Sequence, residues 1–447
     1  MNKYEIIVVG GGPAGMMAAY FAAQGGKSVA LFEKKDSCGR KILLTGKGRC
    51  NITNSRKWED FKLHIHPDSG FYKNSFYHFS NQALVEFLTA AGLEVVEQRG
   101  ERIFPASEKS SDVRDTLVNK LKESPNIDII TNSEVVNVET RPDGLFMVSV
   151  MNDEGLLKCE YYISNKVIMC TGGLSYPATG STGDGYRIAK LLKHNVVETT
   201  PSLTALKPYI YDFSLVGLTL KNVALNLFVE GNNVQSEQGE LTFTNGGIEG
   251  ALGFRVSRKA VKALVKGSKV EVVIDLKPGM TSVQLKDRVT RETLGKKHID
   301  IKKYLTEFIP RQAIDLFVRM NPDLSISNLP VKLKNWKFAI KGYVGYERCV
   351  VTAGGVDLSE VSRKTLESKK IPGLYFAGEV LDLDGDTGGY NLQIAFSTGA
   401  LAGYSAAKAM KCQSVSLLFR CGFWPRYVPE LLRESVRIVQ MRCSLLF

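Results

Sequence analysis

Ile6-Ile7-Val8-Val9-Gly10-Gly11-Gly12-Pro13-Ala14-Gly15 decides how this chain folds. An apolar, β-branched run enters Gly10-x-Gly12-x-x-Gly15 and leaves in an alanine-rich stretch with helical character. Gly10 permits the tight turn, Gly12 lets the backbone approach a pyrophosphate, and Gly15 lets helix and strand pack closely. Phosphates are favoured at such a helix start by free N–H groups and the helix dipole. Ser28 to Phe32 reads as a second strand ending at Glu33, the acid that a ribose diol requires about twenty positions on. A glycine-rich turn of an ordinary α/β domain leaves Glu33 unexplained, so a dinucleotide site is expected.

Working outward, Gly39 to Asn54 carries Arg40, Lys41, Lys47 and Arg49 among glycines, as suits a backbone wrapped around an anion. Helical spacing recurs at Asn81–Gly92 and Val113–Leu121. Ile127–Ile130, Glu134–Glu139 and Phe146–Val150 alternate like strands, with Asp143-Gly144 as a hairpin turn. Lys166 to Cys170 reads as a buried strand running into Thr171-Gly172-Gly173, and Thr182–Leu192 as a helix. Beyond His194, strand-like runs at Leu203–Ile210, Val223–Val229 and Val270–Ile274 indicate a β-rich insertion. Thr281 to Met320 is helical in pattern. Strand signals return at Tyr343–Thr352 and Leu374–Ala377, and a long helix is expected over Asn391–Met410.

Gly378-Glu379-Val380-Leu381-Asp382 and Gly388-Gly389-Tyr390-Asn391-Leu392-Gln393 form the third informative stretch. A strand ends in an acid able to bind a ribityl polyol, and a glycine pair then opens a helix. Amides at that helix start can face the N1/O2 edge of a flavin, which becomes anionic on reduction. With the opening turn, this points to FAD as the resident cofactor. No second strand–GxGxxG–helix unit is present, so any NAD(P)H would dock transiently as electron donor.

The chain has 447 residues, 44% hydrophobic and 23% charged, with net charge +12. Two or three domains are expected. No apolar run reaches membrane-spanning length, no secretory leader precedes the first strand, and eight cysteines without a CxxC pair fit reduced thiols. A cytoplasmic, membrane-free protein is expected. The lysines are scattered, which favours a solvated basic surface over a nucleic-acid patch. His64-x-His66 reads as a polar loop or strand, so no metal site is expected. Cys50 reads as a packing residue in the flavin loop. Tyr176 and Tyr390 are possible proton donors and equally good packed rings, so no catalytic residue is assigned.

These stretches, with Thr45-Gly46-Lys47-Gly48-Arg49-Cys50-Asn51-Ile52-Thr53-Asn54, Phe104-Pro105, Leu174-Ser175-Tyr176-Pro177, Gly180-Ser181-Thr182-Gly183-Asp184-Gly185-Tyr186 and Val351-Thr352-Ala353-Gly354-Gly355-Val356, resemble the BaiN/YhiN-like family of bacterial FAD-dependent oxidoreductases, which includes an aminoacetone oxidase. The resemblance runs from residue 5 to about residue 410. It implies an α/β fold: a Rossmann-like FAD-binding domain (1–194 and 336–411), an inserted β-barrel-like domain (195–280) and a small helical subdomain (281–335). It implies that Gly12, Ala14, Glu33, Lys34, Arg40, Lys41, Thr45, Gly46, Arg49, Cys50, Asn51, Val135, Thr171, Gly172, Glu379, Asp382, Tyr390, Asn391 and Leu392 surround FAD. Gly10, Gly15, Gly378 and Gly389 join them from the turn geometry. The implied activity is hydride transfer to or from flavin N5 with a small organic substrate. A flavin-dependent tRNA-modifying enzyme and a non-catalytic flavoprotein are the alternatives; oligomeric state is unspecified.

Two stretches depart from the family. Where it often carries Thr-His-x-Gly-Ile-Ser-Gly-Pro, this chain has Thr244-Asn245-Gly246-Gly247-Ile248-Glu249-Gly250-Ala251, without histidine or proline. Residues 412–447 hold five arginines, no lysine and three of the cysteines, and are expected to lie outside the integral fold.

Overall fold

The β-branched opening run becomes a strand, Asn2–Val9, whose inner half is fully buried, and the alanine-rich stretch becomes a helix, Pro13–Gln24. The structure is a computed structural model that describes residues 2–152, 158–296 and 298–408. The 412–447 segment lies outside the described residues.

Asn2–Val9 lies at the centre of a seven-stranded sheet among the described residues. Parallel neighbours are Val29–Phe32 on one side and Lys158–Met169 on the other. Ile127–Ile130 extends the sheet beyond Val29–Phe32, and Leu374–Phe376 pairs with Lys158–Met169, both parallel. An antiparallel pair, Ser133–Thr140 and Phe146–Asn152, completes it. Strands buried on both faces read as continuous apolar runs, which is why Ile6–Val9 and Val29–Phe32 were legible, whereas the outer strands were read from their alternation. The closing helix, Tyr390–Ala407, packs on Pro13–Gln24 through Gly399 and Gly403. A Cβ at either glycine would stand 2.2 Å from a carbonyl oxygen, of Ala14 or Ala18.

The insertion forms a closed six-stranded barrel of Leu206–Pro208, Thr219–Val229, Asn232–Thr244, Gly247–Glu249, Val270–Asp275 and Trp336–Tyr343. Its core holds Phe243, Trp336 and Phe338. The helices Ser282–Thr293, Ile301–Leu305, Arg311–Met320 and Leu329–Lys334 add Leu285, Leu305, Phe317 and Leu329 to that same apolar cluster. At the entrance and exit of the insertion, Val196–Ser202 and Val351–Val356 pair antiparallel.

Two local expectations need correction. The strand signal at Tyr343–Thr352 spans the end of one strand and the start of another. Between them the chain turns at Gly345, whose carbonyl accepts from the amides of Arg348 and Cys349. The stretch read as β-rich also contains a sixteen-residue helix, Gly250–Val265, burying Leu252, Val256 and Ala260 along one face.

Candidate active site

The turn after the first strand opens into a cleft. Gly10, Gly12, Pro13 and Ala14 form part of its wall. Gly12 caps Pro13–Gln24 without any side-chain acceptor, and a Cβ built on it would meet nothing within 4 Å. Open space and unfilled backbone donors therefore coincide, as an anion requires. Gly15 faces inward instead: its Cβ would stand 1.8 Å from the Gly10 carbonyl oxygen.

Glu33 lines the cleft and is 9% exposed. Its Oε2 accepts from the Gly11 amide and its Oε1 from the Lys35 amide, each at 2.8 Å. Burial pushes its carboxyl above the ordinary range, against the pull of those two amides and the Lys34 and Lys35 charges. Lys34 reaches Asp184 at 2.5 Å and also donates to Thr182. Val135 lies on the wall with Ser133 and Glu134, and Gly180, Ser181 and Asp184 complete this end.

Further along stand Arg40, Lys41, Thr45, Thr171, Gly172 and Glu379. Lys41 Nζ lies 2.8 Å from Glu379 Oε2 and donates to Ser175 Oγ at 2.9 Å. Glu379 Oε1 accepts from Ser175 Oγ at 2.5 Å and from the Thr352 amide at 2.9 Å. Burial works against the Glu379 charge, but Lys41 and these hydrogen bonds outweigh it and hold the carboxyl below its usual range.

Asn391 and Leu392, at the start of the closing helix, line the remaining wall with Val350 and Val351. The other residues singled out in the sequence stand outside the cleft lining. Gly46 lies against Asn51 and Phe104, and the Arg49 guanidinium sits 5.0 Å from the Phe104 ring and pairs with Glu108. Cys50 is fully buried, and burial pushes its thiol up to about 12, so it is a protonated packing residue at neutral pH. The Asn51 amide, oriented to satisfy both partners, bridges the Thr53 carbonyl and the Gly389 amide at 3.1 Å each. Gly378 and Gly389 take positive φ where a Cβ would collide with Ala14 and with the Thr53 carbonyl. Asp382 donates its amide to Val356; burial and neighbouring Asp384 push its carboxyl up. Tyr390 is 3% exposed, stacked on His64 at 4.5 Å and edge-on to Phe61, and burial pushes its phenol up to about 12.

His64 and His66 are brought together by a carboxylate. His64 Nδ1 lies 2.9 Å from Asp386 Oδ2, and His66 Nε2 lies 3.1 Å from Oδ1. Among the described residues no group of three His, Cys, Asp or Glu side chains could hold a metal ion, and no helix is long and apolar enough to cross a membrane.

Sequence reading did not single out Ser133, Glu134 or Val350 for the cleft; the first two lie on the strand Ser133–Thr140 and the third just before Val351–Val356, and they carry no local signal. Gly180 to Asp184 did carry one, in its glycine density.

The HI0933-like protein Rossmann domain matches residues 4–405. A 3-dehydro-bile acid delta(4,6)-reductase of Clostridium scindens is 30% identical over 423 residues, spanning 91% of this chain and 100% of that protein. A ribosomal RNA dihydrouridine synthase of Escherichia coli is 30% identical over 420 residues, spanning 89% and 96%. Among solved structures, a 3-ketosteroid-delta4-(5alpha)-dehydrogenase from Rhodococcus jostii has the same fold, with TM-score 0.53 at 14% identity over 91% of this chain and 97% of that one. With the glycine turn, the Rossmann-type sheet and the closed barrel in place, the chain belongs to the HI0933-like family of FAD-dependent oxidoreductases.

Proposed function

We propose that this protein reduces a carbon–carbon double bond conjugated to a carbonyl in a small organic substrate. One relative's name describes reduction at delta-4,6 positions of a 3-oxo bile acid; the other's describes making dihydrouridine in ribosomal RNA. In both the bond reduced is conjugated to a carbonyl, directly or through a second double bond, so one pattern, hydride to the carbon of that bond farther from the carbonyl and proton to the nearer one, covers both. When bound, FAD supplies the hydride at N5.

The observation that carries the reading is the helix start at Tyr390, which brings Asn391 and Leu392 to the cleft wall with no acid in its first turn. Amides there stabilise negative charge on the reduced ring. Gly10, Gly12 and Ala14 hold the diphosphate, and Glu33, Lys34 and Val135 the adenosine end. Arg40, Lys41, Thr45, Thr171, Gly172 and Glu379 hold the middle of the cofactor. Gly15, Gly46, Arg49, Cys50, Asn51, Gly378, Asp382, Gly389 and Tyr390 shape the loops and helix starts behind them. Residues 1–194 and 351–408 form the flavin domain; the barrel takes Trp336–Tyr343 as its closing strand, so the modules that cover the substrate run on past 335 to that strand. NAD(P)H docks transiently as donor, and the protein works in the cytoplasm, in keeping with its five free cysteines among the described residues.

The test is anaerobic. Protein carrying photoreduced FAD is mixed with a 3-oxo-Δ4 steroid acid, and flavin absorbance is followed. Reoxidation with formation of the saturated ketone is expected; a flavin that stays reduced with conjugated ketones of several sizes overturns the reading. The E. coli relative and the net charge of +12 favour a second reading, a uracil base of RNA as the conjugated carbonyl. A uridine-containing ribosomal RNA fragment then reoxidises the flavin in a salt-dependent manner, whereas the steroid acid does not.

A further inference from the structure

Asp384, Gly385 and Asp386 form a three-way junction. Asp384 has a fully buried side chain, and Arg258 grips it with two parallel hydrogen bonds, Nε to Oδ2 at 2.9 Å and Nη2 to Oδ1 at 3.0 Å. Arg258 comes from Gly250–Val265, the helix of the inserted module. Ser202, where the chain enters the insertion, adds a contact to Asp384 Oδ2 at 3.4 Å. Gly385 is held on both sides by one side chain: its amide donates to Asn391 Oδ1 at 2.8 Å, and its carbonyl accepts from Asn391 Nδ2 at 2.7 Å. Asp386 takes His64 and His66, beside the Asp384–Gly385 pairing with Ile65–His66.

A buried ion pair is weak evidence for stability, because apolar side chains of similar volume commonly serve as well. What the fork adds is geometry: two parallel bonds fix both distance and angle between the elements that carry them. Here they fix the barrel helix to a strand one hydrogen-bonded step from Asn391, a wall residue of the cleft. Asn391 has little freedom to move unless Gly385 moves.

We propose that Arg258 is a positioning residue: through Asp384 and Gly385 it sets where Asn391 and the first amides of the closing helix stand against the flavin ring. The inserted module thereby tunes the cofactor as well as covering the substrate. This rests on the reading of Asn391 and Leu392 as ring contacts, but not on the identity of the substrate.

The test is the two-electron midpoint potential of the FAD-loaded, full-length protein, measured by equilibration with a reference dye, so it needs no substrate. Arg258→Met/Asp384→Leu replaces the pair with apolar groups. It is expected to retain FAD and to weaken stabilisation of the reduced flavin about tenfold, a potential about 30 mV more negative. Arg258→Lys keeps the charge and loses the fork; a smaller shift in the same direction is expected. Lys334→Met breaks another part-buried pair, with Asp275 inside the barrel module, and is expected to lower stability without moving the potential. Wild-type potentials in the first two variants overturn the proposal. If the double variant fails to fold, Arg258→Lys alone decides. If no conjugated ketone or RNA is reduced while the potential still shifts, the substrate reading fails and the positioning role stands.

Discussion

Glu33 Oε2 accepts the Gly11 amide at 2.8 Å, so the acid that ends the second strand grips the turn that ends the first. Its Oε1 accepts the Lys35 amide. In Glu33→Gln one of these amides meets an NH2 group, donor against donor, and the negative charge offered to a ribose diol is gone. FAD affinity is expected to fall about tenfold, the loss of one charge-assisted hydrogen bond, while the fold persists. Fluorescence titration of apoprotein with FAD measures it; unchanged affinity would remove Glu33 from the cofactor site.

Lys41 and Glu379 behave differently, because each charge depends on the other. Glu379 is held below its ordinary pKa although burial opposes its ionisation. The stability it lends is therefore present above about pH 4.3, where the unfolded carboxyl is ionised, and is lost as pH falls through the lower folded value. Lys41→Met leaves the carboxylate without its cation. A loss of about 2 kcal/mol at pH 7 is expected, closing towards zero as Glu379 becomes protonated in both proteins. Urea unfolding at stepped pH reads this; a loss that stays constant down to the acid limit would assign the effect to packing of the Lys41 stem.

Asp386 makes the same argument for a second carboxylate. Burial raises its pKa, but the hydrogen bonds and charges of His64 and His66 prevail and bring it to about 2. Its contribution is full above about pH 3.9 and disappears between there and about 2. Asp386→Asn is expected to lower stability by about 1–2 kcal/mol at pH 6 and to match wild type near pH 2. Thermal melts across that window test it, and equal melts at pH 6 would refute the pairing.

The flavin domain was legible because its demands are local. A strand, a glycine turn, a helix and an acid lie within residues 6–33, and each has one chemical reason. The closing-helix glycines were legible too, since only glycine tolerates the approach of Thr53 to Gly389. What was hidden depends on distance along the chain. Arg258 and Asp384 are 126 positions apart, and neither residue announces its partner. The helix Gly250–Val265 repeats apolar residues at 252, 256 and 260, yet it stands among strand-like runs, and Gly250 and Gly253 at its start read as loop. Glycine at those two positions serves close packing against Thr242 and Ile248, a constraint set by the hairpin that pairs Thr242 with Glu249.

Gly12 and Gly15 separate cofactor binding from folding within one turn. A Cβ at Gly12 points into open cleft and meets no protein atom within 4 Å, and its φ of −73° suits any residue. Gly12→Ala is therefore expected to leave the apoprotein's melting temperature unchanged. Its methyl group occupies the space a diphosphate needs, so FAD affinity is expected to fall about a hundredfold, roughly 2.7 kcal/mol. A Cβ at Gly15 would stand 1.8 Å from the Gly10 carbonyl oxygen and 3.3 Å from Cys170 Cβ. Gly15→Ala must push the first helix off the first strand, and overpacking of that kind costs about 1–3 kcal/mol or more even without cofactor. Apoprotein melts and FAD titration on the two variants give opposite patterns if the cleft holds the diphosphate. If Gly12→Ala binds FAD as tightly as wild type, the opening turn is structural and the cofactor lies elsewhere.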